Sequence, residues 1–203
     1  MARKQTKHTV PSRIAASSHA LDSQSPNKQE GLLRIRLYGD PVLRENALAI
    51  QKITDVERKL AEEMLATMYA TSTGVGLAAP QVGVLQRLIV IDVSREDSSS
   101  KPLVLINPEI QSLEGEVIGE EGCLSFPDIT AEVKRAAKAV VTGLNLEEET
   151  ICVEGDGLLA RVLQHEIDHL NGVLFIDHLS GLKRQLLRGK LRKLKQQYVK
   201  RET

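Results

Sequence analysis

A helix that is apolar around most of its circumference, yet carries two histidines and two carboxylates, must be buried and must find partners for all four polar groups. The run from Leu158 to Leu170 encodes such a helix. Leu158, Leu159, Val162, Leu163, Ile167 and Leu170 cover most of its surface, Asp156 stands at the N-cap position, and Gly172 is placed for a left-handed stop. Within it, residues 164–172 read Gln-His-Glu-Ile-Asp-His-Leu-Asn-Gly, so that His165, Glu166 and His169 form an HExxH signature. Four residues advance about 6 Å along a helix and turn roughly 400°. His165 and His169 therefore lie nearly one above the other and can each give a ring nitrogen to one divalent ion. Glu166 is about 100° further round by the same geometry, placed to reach a water without ligating the ion, as a general base must. The competing reading is a core helix with two incidental histidines, which must then satisfy every polar group by hydrogen bonds alone.

A catalytic metal site needs a third protein ligand and an open position. His178 is the only histidine after His169, and its spacing does not suit a metzincin. Upstream, residues 121–127 read Glu-Gly-Cys-Leu-Ser-Phe-Pro. There Cys123 sits beside a glycine and ahead of a proline, a turn-like setting that presents a thiolate. Two histidines and one cysteine leave a fourth position free for water.

A third block, GVGLAAPQVG at residues 74–83, is a glycine-rich apolar loop ending near the polar Gln81. It lacks the GK[ST] of a phosphate loop and the GxGxxG of a dinucleotide site. In the order GVGLAAPQVG, EGCLSFP, QHEIDHLNG, roughly 40 residues apart, and with GDPVLR at 39–44 before them, the blocks resemble the signature of the peptide deformylases. The resemblance runs from about Leu32 to about Leu187.

That resemblance implies a metal-dependent hydrolase that removes the formyl group from the N-terminal N-formylmethionine of nascent polypeptides and releases formate. It implies Cys123, His165 and His169 as metal ligands and Glu166 as general acid/base. Gln81 and the backbone N–H of Leu124 would donate to the developing oxyanion. Gly76 would line the substrate strand, its missing side chain allowing the peptide backbone to approach. One divalent ion is implied, Fe(II) foremost, with Zn, Ni and Co as alternatives. The ion would polarise the formyl carbonyl and activate water near neutral pH, and Glu166 would carry the proton to the leaving amine. Two other readings stay open on the residues alone: an HExxH metallopeptidase with a different third ligand, and a non-catalytic metal-binding or ribosome-binding module.

Several neighbouring residues have two readings each. Glu121 either orients a histidine through its free ring N–H or is a solvated loop carboxylate. Asp168 is a candidate partner for Arg135. Leu158 and Val162 suit the walls of a methionine pocket, or ordinary core. Arg161, charged on the ligand helix, and Gly119, standing where a larger apolar residue would pack, depart from the expected pocket.

Around these motifs the expected fold is α+β, with antiparallel sheets packed about the buried HExxH helix. Thr54 and Glu57 have capping-box spacing and open a helix with the stripe Val56, Leu60, Met64 and Met68. Strand-like runs lie at 88–93, 103–106, 129–133, 139–142 and 150–153, with a serine-rich loop at 94–101. Strands clustered between two helices favour α+β over alternating α/β. The two cysteines do not suggest a disulfide framework, and their use points to a reducing compartment; Cys152 reads as a strand core residue. No run of 18 apolar residues exists to span a membrane.

The formal net charge of zero conceals an asymmetry: residues 181–203 carry nine Lys/Arg against Glu202 alone, leaving the remainder acidic. Leu182, Leu186, Leu187, Leu191, Leu194 and Tyr198 recur at helical spacing, with Gly189 a weak point, so this tail reads as a basic amphipathic helix. The expected organisation is thus a catalytic domain over 31–180 continued by a basic C-terminal helix over 181–203. In similar deformylases such a helix docks on the ribosome near the exit tunnel, which makes rRNA a candidate partner beside the N-formylmethionyl nascent peptide. Residues 1–30 hold Arg3, Lys4, Lys7 and Arg13, with no acid before Asp22, and read as a disordered extension or a targeting segment. The compact motif spacing and basic tail favour a bacterial cytoplasmic protein; a transit peptide at 1–30 would instead imply a mitochondrion or plastid.

Overall fold

The computed structural model describes residues 31–94 and 101–202. The expected N-terminal extension at 1–30 and most of the serine-rich loop lie outside the described residues. A polar, capped segment opens the first helix, α1 (Asp55–Tyr69). The Glu57 carboxylate accepts the Thr54 N–H at 2.9 Å while Thr54 Oγ1 accepts the Val56 N–H at 3.2 Å, so two orphan donors of the first turn are satisfied. Leu60, Met64 and Met68 are buried as their spacing requires. Val56 is not: it is 69% exposed, whereas its neighbour Glu57 is buried.

Among the described residues seven strands follow: β1 (Gly76–Ala78), β2 (Leu88–Ile91), β3 (Leu103–Glu114), β4 (Val117–Glu121), β5 (Ala131–Arg135), β6 (Lys138–Leu144) and β7 (Thr150–Asp156). Five of them form an antiparallel sheet in the order β1-β2-β3-β6-β7, while β4 and β5 pair as a separate antiparallel ribbon. Strand β2 reads Leu-Ile-Val-Ile and is buried on both faces. The alternation of its side chains explains why. Leu88 and Val90 join Leu60, Met64 and Met68 of α1, whereas Ile89 and Ile91 join Val162, Leu163, Ile167 and Leu170 of the second helix, α2 (Gly157–Leu170). The sheet is therefore packed by one helix on each side, and α2 is the one that carries the HExxH residues.

A third apolar cluster gathers Phe126, Ile129, Val133, Phe175 and Ile176 with Leu191 and Leu194 of the last helix, α3 (Gly181–Glu202). Phe175 stands edge-on to Phe126, with ring centroids 5.0 Å apart. The helix passes unbroken through Gly189. The expected leucine stripe of α3 is divided: Leu187, Leu191 and Leu194 pack against the body, but Leu182 and Leu186 are 71% and 77% exposed. The first turns instead meet the body through polar side chains, Lys183 on Glu132 (3.1 Å) and Arg184 on the Asp177 carbonyl (3.0 Å).

Several local expectations are revised. Asp156 occupies the N-cap position of α2 in extended conformation, but its side chain makes no capping hydrogen bond. Gly172 has φ +67°, as expected of a left-handed stop, and a Cβ there would meet Arg44 O at 2.5 Å. Cys152 lies in β7 but is exposed, because its alternation points it away from α2, so it is not a core residue. Strand β3 runs far beyond 106, and β1 and β4 lack the expected sequence signal. The last six residues of β3 are exposed on both faces, β1 is three small or apolar residues, and β4 begins with exposed Val117 and Ile118. None shows the buried-face alternation that makes a strand readable. Among the described residues no helix is long and apolar enough to cross a membrane.

The capping box makes a direct test. Thr54→Ala should cost about 1 kcal/mol, a fall of about 2–4 °C in Tm for a chain of this size, read by thermal denaturation. The hydrogen bonds from Thr54 hold the Glu57 carboxyl below its ordinary value. Its contribution is therefore fully present above the unfolded pKa and is lost as pH falls through the lower folded value. Glu57→Gln should accordingly flatten the acid side of the Tm-against-pH profile.

Candidate active site

Helix α2 brings His165 and His169 to its buried side, 8% and 1% exposed, with ring centroids 5.0 Å apart and planes at 80°. The chain leaving β4 delivers Cys123 opposite them. Its Sγ lies 3.3 Å from His169 Nε2, and the ligand atoms of Cys123, His165 and His169 are all within 4.8 Å of one another. Among the described residues this is the one cluster of three or more such donors arranged to hold a metal ion.

Three observations show that the donor set suits a divalent metal. First, Glu121 Oε2 lies 2.9 Å from His165 Nδ1. A carboxylate can only accept, so Nδ1 is committed as a donor and Nε2 is the nitrogen left to face a ligand. Burial works to raise the Glu121 carboxyl, but the hydrogen bonds from His165 and Arg135 overcome it and hold the group well below the usual carboxylate range. Second, His169 is pushed well below its ordinary value by burial and by His165, which keeps its ring neutral and able to ligate. His165 itself is raised: burial opposes its charged form, but the contacts with Cys123 and Glu121 outweigh that cost. Third, Glu166 Oε2 and His169 Nδ1 are buried without a hydrogen-bond partner. Buried polar atoms are rarely left so, and an ion with its water would give Glu166 what it lacks.

The remaining predicted residues line one cavity of about 630 Å³ with Cys123, His165 and Glu166: Gly76, Gln81, Leu124, and the pocket candidates Leu158 and Val162. Gln81, 1% exposed, follows β1 in a 3-10 turn. Its Oε1 accepts the Ala78 N–H at 2.8 Å, which aims its Nε2 at Cys123 Sγ (3.4 Å) and Ser125 Oγ (3.3 Å). Gly76 has a second reason to be glycine. A Cβ there would come within 2.4 Å of Glu166 Oε1 and 2.8 Å of Val162 Cγ1, so its bareness makes room for the Glu166 carboxylate as well as for a ligand. Burial, foremost, pushes that carboxylate up to about 7, against the opposing pull of His165.

The charged neighbours form a network behind the histidines. Arg135 binds Glu121 through Nε (2.8 Å) and Nη2 (3.1 Å), and pairs with Asp168 through Nη1. His178, set aside on sequence spacing as a ligand, meets Asp168 at 2.7 Å and Arg135 at 3.2 Å. Ser125, fully buried against Gln81, had no distinguishing signal beyond its place after Cys123.

A family model of the polypeptide deformylases matches residues 32–185, more than half of the chain. The chain belongs to the polypeptide deformylase family. It is 50% identical over 161 residues to a peptide deformylase of Thermodesulfovibrio yellowstonii, an alignment spanning 79% of this chain and 97% of that one. Among solved structures, a peptide deformylase from Legionella pneumophila superposes with a TM-score of 0.76 at 43% identity, covering 83% of this chain and 98% of that one. One from Arabidopsis thaliana gives 0.79 at 36% identity over 83% and 93%. The family is one of metalloenzymes, in keeping with the Cys/His cluster of this deformylase.

The ligand assignment is open to measurement. After anaerobic loading with Ni(II) and desalting, the wild-type deformylase should retain about one equivalent, and Cys123→Ala should elute with almost none. Retention by the variant would exclude Cys123 as a ligand.

Proposed function

We propose that this chain hydrolyses the formamide of N-terminal N-formylmethionine on nascent polypeptides, releasing formate, with Cys123, His165 and His169 holding one divalent ion and Glu166 moving the proton. The observation that carries this reading is the unpartnered Glu166 Oε2 in the cavity that holds the Cys/His/His cluster. When bound, a divalent ion there supplies Lewis acidity toward the formyl oxygen and makes water nucleophilic near neutral pH.

The chain's own groups provide the rest. Glu166, its carboxyl near neutrality, takes the proton of the attacking water and returns it to the departing amine. The Gln81 side-chain amide, its orientation set by the Ala78 N–H, and the Leu124 backbone N–H donate to the formyl oxygen as negative charge grows there. One such donor is worth roughly 3 kcal/mol in the transition state. Leu158 and Val162, on the α2 wall of the cavity, are placed to receive the methionine side chain. Gly76 adjoins Val162 and Glu166, and its missing side chain lets the peptide backbone approach beside them.

We take Fe(II) as the natural ion, with Ni, Co and Zn able to occupy the same set, because a thiolate with two imidazoles accepts several first-row metals. Metal analysis of anaerobically purified protein decides this. A bacterial cytoplasmic site of action agrees with a ligand set that needs a reduced thiol and with bacterial relatives such as that of Thermodesulfovibrio yellowstonii.

Formate release from an N-formyl-Met peptide, assayed with Fe(II), Ni(II) and Co(II), is the deciding experiment; inactivity with all three would sink the proposal. Glu166→Ala should retain the ion and lose turnover by about 10²–10⁴-fold. For the basic helix, we propose contact with ribosomal RNA through exposed Arg188 and Arg192, one turn apart on α3. Because Leu191 and Leu194 are buried, charge reversal is a cleaner test than truncation. Arg188→Glu with Arg192→Glu should abolish salt-sensitive co-sedimentation with ribosomes and spare deformylation of free peptides. Unchanged co-sedimentation would refute the contact.

A further inference from the structure

Arg161 and Gly119, the two positions that depart from an ordinary apolar pocket, meet each other. Arg161 is on α2, one turn before His165, and is 9% exposed. Its Nη1 donates to Glu121 Oε1 at 2.7 Å and to Val133 O at 3.0 Å, with a longer contact to Gly119 O at 3.4 Å, and its Nη2 donates to Val117 O at 3.2 Å. These acceptors belong to β4 and β5. The guanidinium therefore ties the helix that carries His165 and His169 to the ribbon that leads into Cys123. Gly119 is the space this requires: a Cβ there would lie 2.8 Å from Arg161 Nη2 and 3.1 Å from its Cζ. These atoms end a side chain, but one whose donors are already committed to the ribbon.

We propose that Arg161, seated over Gly119, is a positioning residue that sets the separation of Cys123 from His165 and His169 and holds Glu121 in place for His165. Glu121 Oε1 takes both Arg161 Nη1 and Arg135 Nε, while Oε2 receives Arg135 Nη2 and His165 Nδ1. Arg135 is shared with Asp168. Arg161 is the cation committed to Glu121, and it anchors the oxygen that His165 does not use. Removing its donors leaves the carboxylate held by Arg135 and His165, with Oε1 keeping only Arg135 Nε, and leaves the carbonyls of Val117 and Val133 without the guanidinium. The ribbon and the helix then keep only the His165–Glu121 and Arg135–Asp168 ties near the donors and lose the one that reaches both strands.

This inference rests on the Cys/His/His metal assignment. It is tested with the full chain loaded anaerobically with Co(II), whose visible spectrum reports ligand geometry and whose near-ultraviolet thiolate band reports Cys123. Arg161→Met, of similar stem length without donors, and Gly119→Ala, which keeps the guanidinium but crowds it, should each weaken Co(II) binding about 10–100-fold in chelator competition and shift the visible bands. Circular dichroism of the metal-free proteins should stay as in the wild type. Arg161→Lys, which keeps the charge but not the fork, should fall between. If Arg161→Met does not fold, Gly119→Ala carries the test. Folded variants with wild-type affinity and spectrum overturn the brace. A wild type that shows no thiolate band overturns the metal assignment itself, and the brace with it.

Discussion

The buried carboxylate of Glu121 is the constraint around which the site is assembled. A carboxylate taken out of water costs several kcal/mol unless its oxygens are paired, and here all its partners come from other elements. Arg135 reaches it from β5, and Arg161 and His165 reach it from α2. Satisfying one charge thus requires ribbon and helix to sit at a single spacing. That spacing brings Cys123 to the two histidines. The same carboxylate decides which nitrogen of His165 is free for a ligand, so the tertiary pairing and the donor chemistry have one cause.

The apolar layers supply the rigidity that such pairing needs. Strand β2 is buried on both faces, and its alternating side chains bind α1 to one side of the sheet and α2 to the other. Helix α2 therefore cannot shift without opening the cluster it shares with Ile89 and Ile91. The third cluster, around Phe126 and Phe175, fixes the turn that bears Cys123 and holds the middle of α3 against it. His165 rests 6.3 Å from the Phe175 ring in a stacked arrangement, which joins the polar site to that cluster. Polar precision at the donors is built on aliphatic packing behind them.

Legibility in the sequence followed burial. The α2 helix, the capping box at Thr54 and Glu57, and strand β2 were readable because each carries a local signal: an apolar helix surface, a paired polar cap and an unbroken apolar run. The polar end of β3 and the short β1 and β4 were not, since their order comes from backbone pairing rather than side-chain pattern. Cys152 was misjudged for a related reason, and Leu186 keeps its helical spacing while exposed: apolar spacing names a face but not whether anything covers it. Charged residues were the hardest. Arg135 and Asp168 were paired correctly, while Arg161 looked like a flaw in the pocket wall and is in fact a tie between α2 and the ribbon.

By itself, the sequence determined the inventory: a helix with ligand spacing, a cysteine in a turn, a glutamine after a glycine-rich loop, and an α+β arrangement to hold them. Local geometry was enough for this, because 3.6-residue periodicity places His165 and His169 on one face whatever surrounds them. Only the tertiary structure decided that Cys123 approaches from β4, that Gly76 and Gly119 make room for Glu166 and Arg161, and that Glu121 serves His165 instead of solvent. These are contacts between residues some 40 or more positions apart, and their partners are chosen by the cost of leaving a buried charge unpaired, which no local pattern encodes.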